Sequence, residues 1–327
     1  MKKQIYIALF VCFICISSGV QAFVPALAFE AWMDRLRADA LKQGISKEIV
    51  AAALTDDLKP IKSIVKLDRK QPEKTITFNQ YRKNIVSRAR VNKGRKMFKR
   101  HRAELQKIGD AFGVQPRFIV ALWGIETNYG GYTGGFGIVP ALVTMSYDGR
   151  RSAFFRKELM DALRILDQGH ISLANMKGSW AGAMGQSQFM PSSFLRYAVD
   201  YNGDGRRDIW NTKVDVFASA ANYLAQSGWK GDETWGRAVK LPKNFKNKFT
   251  GLKVQKTLAE WQKLGVRKIN GMDLPVVAGM KGSIVQPDGV GGSAYLVYNN
   301  YRTIMRWNKS LYFATSVGLL ADQIAMG

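Results

Sequence analysis

Thiols are almost missing from this chain: its 327 residues include two cysteines, Cys12 and Cys15, both in the first fifteen positions. Those positions open a segment, residues 1–28, that reads as a secretory signal peptide. Lys2 and Lys3 make a basic start, residues 5–16 a short apolar run, and Ala26-Leu27-Ala28 an A-x-A cleavage site, with Ala22 as the alternative. The run is too short for a comfortable membrane span. Ile14 precedes Cys15 where a lipoprotein signal places a small residue, so neither a lipid nor a stable membrane anchor is expected. An exported, thiol-free mature chain has no disulfide, no thiolate nucleophile and no cysteine metal ligand.

Histidine is as scarce, at His101 and His170 alone. Two histidines without cysteine cannot supply the usual three or four ligands of a zinc site, and each reads as a packing or surface residue. No G-x-S-x-G turn occurs, because Ser187 sits in GQSQF. The glycine-rich YGGYTGGFG has neither P-loop nor dinucleotide-fold spacing. Acid is short as well, with 25 Asp and Glu against 49 Lys and Arg, a formal net charge of +24. Such a balance suits a polyanionic partner. For an exported chain that partner is peptidoglycan, with its stem-peptide carboxylates, or acidic lipid headgroups; nucleic acid is not expected. Much of the charge is also ordinary solvated surface.

What the chain does contain is organised helix. Residues 29–108 carry apolar positions at helical spacing and form a helical N-terminal lobe, with Ser46 as the N-cap of one helix. Residues 109–240 form a core in which Pro116 opens a helix that ends near Asn128, and further helices cover about residues 154–166 and 215–226. Short apolar runs broken by Gly, Pro and Asn over residues 241–299 read as a small β-rich insertion, and residues 300–327 return to helix. The class is α+β, predominantly α-helical.

By elimination the chemistry falls to carboxylates. Glu126 lies late in an apolar helix (ALWGIETNYG), where desolvation would raise its pKa and keep it protonated as a general acid; an ordinary solvated helix glutamate is the alternative. About fifty residues on, KGSWAGAMGQSQFMPSSF mixes Gly, Ala and Ser with amides and aromatics. That composition suits a tight backbone wall facing a ligand rich in hydroxyls and amides.

Four segments in this order, ALWGIETNYG, ALVTMSYDGRRSAFFRKEL, GSWAGAMGQSQFMPSSFLRYAVDYNGDGRRDIW and ANYL, resemble the B-type (family 3) lytic murein transglycosylases. The resemblance runs from about residue 29 to the end and implies a lysozyme-like core. It implies that Glu126 protonates the β-1,4 glycosidic oxygen between N-acetylmuramic acid and N-acetylglucosamine. The same residue then serves as base for the muramyl C6 hydroxyl, which closes a 1,6-anhydro ring. No partner carboxylate is then needed, whereas ordinary retaining hydrolases use two. The resemblance also implies that Ser179 and Gln188 hydrogen-bond the sugar, that Tyr81, Tyr223 and Tyr301 line the cleft, and that Phe189 and Met190 form a floor under a pyranose ring. By periodicity alone these aromatics read as core.

The loop DYNGDGRRD adds an EF-hand-like pattern: Asp200, Asn202 and Asp204 at positions 1, 3 and 5, Gly205 at the turn, and the Arg206 carbonyl at position 7. Position 12 is Asn211 rather than glutamate, and the resemblance implies closure on Asp215 instead. Any bound Ca²⁺ would brace the wall and take no part in chemistry; no cofactor is expected for the reaction. A metal-free Asn-Gly/Asp-Gly turn is the alternative. The expected product is a periplasmic lytic transglycosylase acting on peptidoglycan glycan strands, with other wall enzymes as candidate partners. The alternatives are a hydrolytic muramidase and a non-catalytic peptidoglycan-binding protein.

Overall fold

A computed structural model describes residues 20–69, 76–148 and 151–326, with side chains described from residue 28 onward. Most of the expected signal segment lies outside the described residues. The chain forms two compact units, one ending at Leu58 and one running from Lys59. Within the first, α1 (Val20–Lys42) packs on α2 (Lys47–Ala53). The Ser46 hydroxyl accepts from the Ile49 amide, so the expected N-cap satisfies one of the orphan donors of α2. No helix among the described residues is long and apolar enough to cross a membrane.

The second unit is built around α7 (Pro116–Thr127). Pro116 sits in its first turn, where a missing N–H costs little, and Asn128 ends it in the left-handed conformation. Phe118, Ile119, Val120, Ala121 and Leu122 are all buried, so the helix is apolar all round rather than amphipathic. It is enclosed by α5 (Arg88–Arg100), α6 (Arg102–Phe112), α11 (Lys213–Gln226) and α14 (Leu311–Ala325). The remaining helices of this region are α3 (Lys62–Arg69), α4 (Phe78–Ile85), α8 (Ile138–Tyr147), α9 (Ser152–Asp167) and α10 (Pro191–Tyr197).

A two-stranded ribbon joins the glycine-rich loop to the wall. In it β1 (Phe136–Gly137) pairs antiparallel with β2 (Lys177–Gly178), Phe136 opposite Gly178. The approach is close enough to require glycine on both sides. A Cβ on Gly134, at φ +98°, would lie 2.0 Å from the Gly178 carbonyl, and one on Gly178 would lie 2.1 Å from the Ala183 carbonyl.

The β-rich segment is a five-stranded antiparallel sheet built from β3 (Gly236–Lys240), β4 (Lys256–Thr257), β5 (Arg267–Lys268), β6 (Lys281–Val285) and β7 (Ala294–Val297). Their order is β4-β6-β7-β3-β5, with Gly236 opposite Val297, and α12 (Leu258–Lys263) sits in the β4–β5 connection. The sheet begins at Gly236, before the 241–299 span expected from composition. The buried Trp235 just ahead of it packs on Tyr295 and Tyr301 and touches the backbone of α14 at Gly318. Strand β7 passes through Tyr298 directly into α13 (Asn299–Trp307).

Candidate active site

Glu126 stands in the last turn of α7, half-buried. Burial raises its pKa from 4.5 to about 7, opposed by a hydrogen bond that favours the anion. That bond comes from Trp307 at the end of α13, whose indole Nε1 donates to Glu126 Oε1 at 2.8 Å. Near neutrality the group is thus divided between acid and carboxylate, the condition a general acid that later acts as base requires. The Trp307 ring packs on Phe189 (5.2 Å between centroids) and on Tyr223 (4.7 Å), and Tyr223 also meets Tyr197 at 4.5 Å. The indole that holds the carboxyl is therefore itself one of a cluster of four aromatic rings.

The wall is a knot of backbone hydrogen bonds. Met184 and Phe189 exchange amides at 2.8 and 3.1 Å, and the Ser179 hydroxyl accepts from the Ala183 amide at 3.0 Å. Gln188 has φ +49°, a left-handed position taken by few non-glycine residues. Its Nε2 donates to the Gly185 and Thr133 carbonyls at 2.8 and 3.0 Å. Both amide hydrogens are thereby committed to the fold, and its carbonyl oxygen is the group left to meet a ligand.

Of the expected site residues, Phe189 and Tyr223 share the aromatic cluster with Trp307 beside Glu126. Both are buried, and the Tyr223 hydroxyl is spent on the Arg306 carbonyl at 2.8 Å. Ser179, Gln188 and Met190 lie half-buried on the wall, Met190 as the residue before α10. Tyr81 is half-buried on α4, its ring 5.5 Å from that of Tyr312. Tyr301 requires correction: it is fully buried, stacked near Trp235, with its hydroxyl 3.1 Å from Thr315 Oγ1. Its ring belongs to the core, because a tyrosine whose hydroxyl finds a buried partner packs as well as a phenylalanine.

One residue beside Glu126 escaped the sequence reading. Trp307 carries no motif and lies 181 positions from its partner. Gln186, one of the wall amides expected to face a ligand, is instead buried and ties the wall to α7. Its Oε1 accepts from Trp123 Nε1 at 2.9 Å, its Nε2 donates to the Trp210 carbonyl at 2.6 Å, and its own carbonyl accepts from Thr127 Oγ1 at 3.0 Å. The histidines are packing residues: His101 meets Trp123 and Phe217 edge-on, and His170 accepts from the Arg207 amide.

The DYNGDG loop folds as its spacing predicts at the start and differently at its close. Asp200 accepts the amides of Gly203, Asp204 and Gly205, and Asp204 accepts that of Arg206 and the Asn202 side-chain amide. Asp215 is fully buried, with Oδ1 taking the Tyr201 amide and Oδ2 the Asp208 amide, each at 2.9 Å. Asp208, overlooked in the sequence, caps the far end through Trp210, Asn211 and Thr212. Among the described residues no three His, Cys, Asp or Glu side chains gather as a metal-holding group. Of the residues expected to hold Ca²⁺, Asp200 and Asp204 turn their oxygens to the loop's own amides, and Asp215 accepts the Tyr201 and Asp208 amides beneath the loop.

A helical core carrying one proton-holding carboxyl at the end of its central helix, walled by a glycine-rich turn and aromatics, defines a lysozyme-like enzyme. The chain belongs to the family described as the transglycosylase SLT domain, whose profile matches residues 28–322. It is 33% identical over 260 residues to membrane-bound lytic murein transglycosylase B of Escherichia coli K12, covering 76% of this chain and 67% of that protein. SltB3 of Pseudomonas aeruginosa, solved in complex with NAG-anhNAM-pentapeptide, superposes with a TM-score of 0.88 at 40% identity, covering 91% of this chain and 80% of that one. The lytic transglycosylase Slt35 of Escherichia coli, solved in complex with calcium, gives a TM-score of 0.77 at 27% identity, over 90% of this chain and 92% of that one.

Proposed function

We propose that this chain is a lytic transglycosylase that cleaves the β-1,4 bond between N-acetylmuramic acid and N-acetylglucosamine in peptidoglycan, with Glu126 as its only acid and base. The observation that carries the reading is the half-buried Glu126 carboxyl, with a pKa of about 7, hydrogen-bonded by Trp307. In the first step Glu126 gives its proton to the glycosidic oxygen as the C1–O bond breaks and N-acetylglucosamine leaves with a free 4-hydroxyl. In the second, the C6 hydroxyl of the same muramyl residue bonds to C1 and returns its proton to Glu126. No water is consumed, and the internal hydroxyl has the advantage of proximity over solvent. The fused 1,6-anhydro ring is the product class present in the SltB3 complex.

Ser179 and the free carbonyl of Gln188 would orient the muramyl residue, with the half-buried Met190 as apolar surface beneath it and the buried Phe189 and Tyr223 rings backing Trp307. The reaction draws on side chains alone. The N-terminal segment, residues 1–28, would direct the chain to the periplasm, where this polymer lies.

Digestion of purified sacculi followed by mass spectrometry tests the reading. Muropeptides lighter by one water than their hydrolytic counterparts are expected. Reducing-end products alone would make the protein a muramidase, and sacculi binding without soluble fragments would make it a binder.

A further inference from the structure

We propose that a basic groove between α4, α5 and α14 is a second binding site, which takes the carboxylate-bearing peptide stems of peptidoglycan. The proposal rests on the substrate class given above. Residues 76–103 contain ten Lys and Arg and no Asp or Glu. Part of this stretch lines a groove of about 610 Å³ into which Arg82, Lys83, Arg88 and Arg95 project from α4 and α5. Arg82, Lys83 and Arg88 are exposed. Arg95 is half-buried and held at the groove by its Nε, which donates to the Gln323 carbonyl of α14 at 3.0 Å.

None of these four cations takes part in an ion pair among the described residues. Among the described residues the side-chain hydrogen-bond partner of Arg82 is the neutral amide of Asn79. Like charges gathered without a counter-charge repel one another, and an anionic ligand relieves that repulsion on binding. Arg88 also opens α5, so the positive end of that helix adds to the same field.

The shape selects among anions. A concave groove admits a narrow chain, whereas a lipid surface is met by a convex face with apolar side chains that enter the acyl boundary. No large apolar side chain of α4 or α5 is exposed among the described residues. Val86 and Leu319 line the groove instead, apolar surface suited to the methyl groups of alanine between carboxylates. None of the residues assigned to glycan binding lines it, so stem and glycan would be held by different parts of the protein.

The test is co-sedimentation with insoluble sacculi, carried out on the Glu126→Gln background so that the polymer stays intact. Intact sacculi are compared with sacculi stripped of peptide by an amidase. The prediction is that the otherwise unmodified chain binds intact sacculi more tightly. Lys83→Glu with Arg88→Glu should lower that affinity about tenfold, the scale of two exposed ion pairs lost and reversed, to the level seen with stripped sacculi. Lys83→Gln with Arg88→Gln should give an intermediate loss, and circular dichroism should report an unchanged fold for both pairs. Equal binding to intact and stripped sacculi would overturn the proposal, as would charge-reversed protein that sediments normally. A loss seen only with phosphatidylglycerol vesicles would assign the groove to lipid instead. Because binding is read without turnover, failure of the cleavage reaction would leave these outcomes legible.

Discussion

Trp307 Nε1 and Glu126 Oε1 lie 2.8 Å apart, joining the end of α13 to the last turn of α7. The indole can only donate, so Oε1 must accept, and the proton of the neutral acid is left to Oε2. The bond therefore fixes which oxygen carries the proton of the acid form, in addition to stabilising the anion.

Replacing Trp307 with Phe keeps the aromatic packing and removes the donor. Without that stabilisation of the carboxylate, the pKa of Glu126 should rise further above about 7. The alkaline limb of the kcat/KM profile should move to higher pH, and kcat should fall about tenfold with little change in KM. A pH–rate series on a soluble muropeptide substrate measures both. An unmoved limb would separate Trp307 from the titration.

Glu126 should also leave a mark on stability. Its folded pKa of about 7 exceeds the ordinary 4.5, so the folded state holds more protons than the unfolded state between these values. The advantage of the neutral form is complete below about 4.5 and is lost as pH rises through about 7. Glu126→Gln should abolish turnover and gain about 1–3 kcal/mol of stability over the parent at pH 8, but little at pH 4. Urea unfolding at the two pH values reads the difference.

Tyr301 and the cleft can be separated by one atom. Tyr301→Phe removes a buried hydroxyl and leaves Thr315 short of a partner, at a cost of about 1–2 kcal/mol in stability. KM on soluble muropeptides should not move. A raised KM at unchanged stability would return Tyr301 to the cleft.

The loop beneath the wall should depend on amide capture more than on metal. Asp215→Asn leaves one of the Tyr201 and Asp208 amides facing an NH₂ group, and should cost about 1–3 kcal/mol with or without calcium. Chelator should leave the thermal midpoint of the parent protein where it was. A fall of several degrees on chelation would mean that the loop closes around an ion after all.

The sequence was most legible where the signal is local. Ser46, Pro116 and Asn128 mark helix ends because capping and φ restrictions act within a few residues, and each stands at the end it predicts. Glu126 stood out through the family resemblance of the segments around it, since a lone helix glutamate reads more often as solvated. Trp307 did not, since its partner lies 181 positions away and nothing in its neighbours encodes the contact; Gln186 was legible as a wall amide, but not its buried bond to Trp123, 63 positions away. Tyr301 misled because an aromatic suits a core and a cleft equally. Asp208 was passed over because it binds backbone amides, which every residue but proline supplies.

The junction of β7 with α13 carries a further consequence. The two halves of the acid–indole pair reach each other by separate routes, Glu126 on the central helix and Trp307 at the end of a helix launched from the sheet. A slip of one residue in the β3–β7 register would displace the start of α13 by about 3.3 Å, more than the length of the hydrogen bond. Gly236 helps to hold that register: a Cβ there would lie 2.6 Å from the Leu296 carbonyl, so the strands close only around glycine. The insertion thus works as the gauge block of the site, setting a proton's address from strands that carry none of the site's own residues.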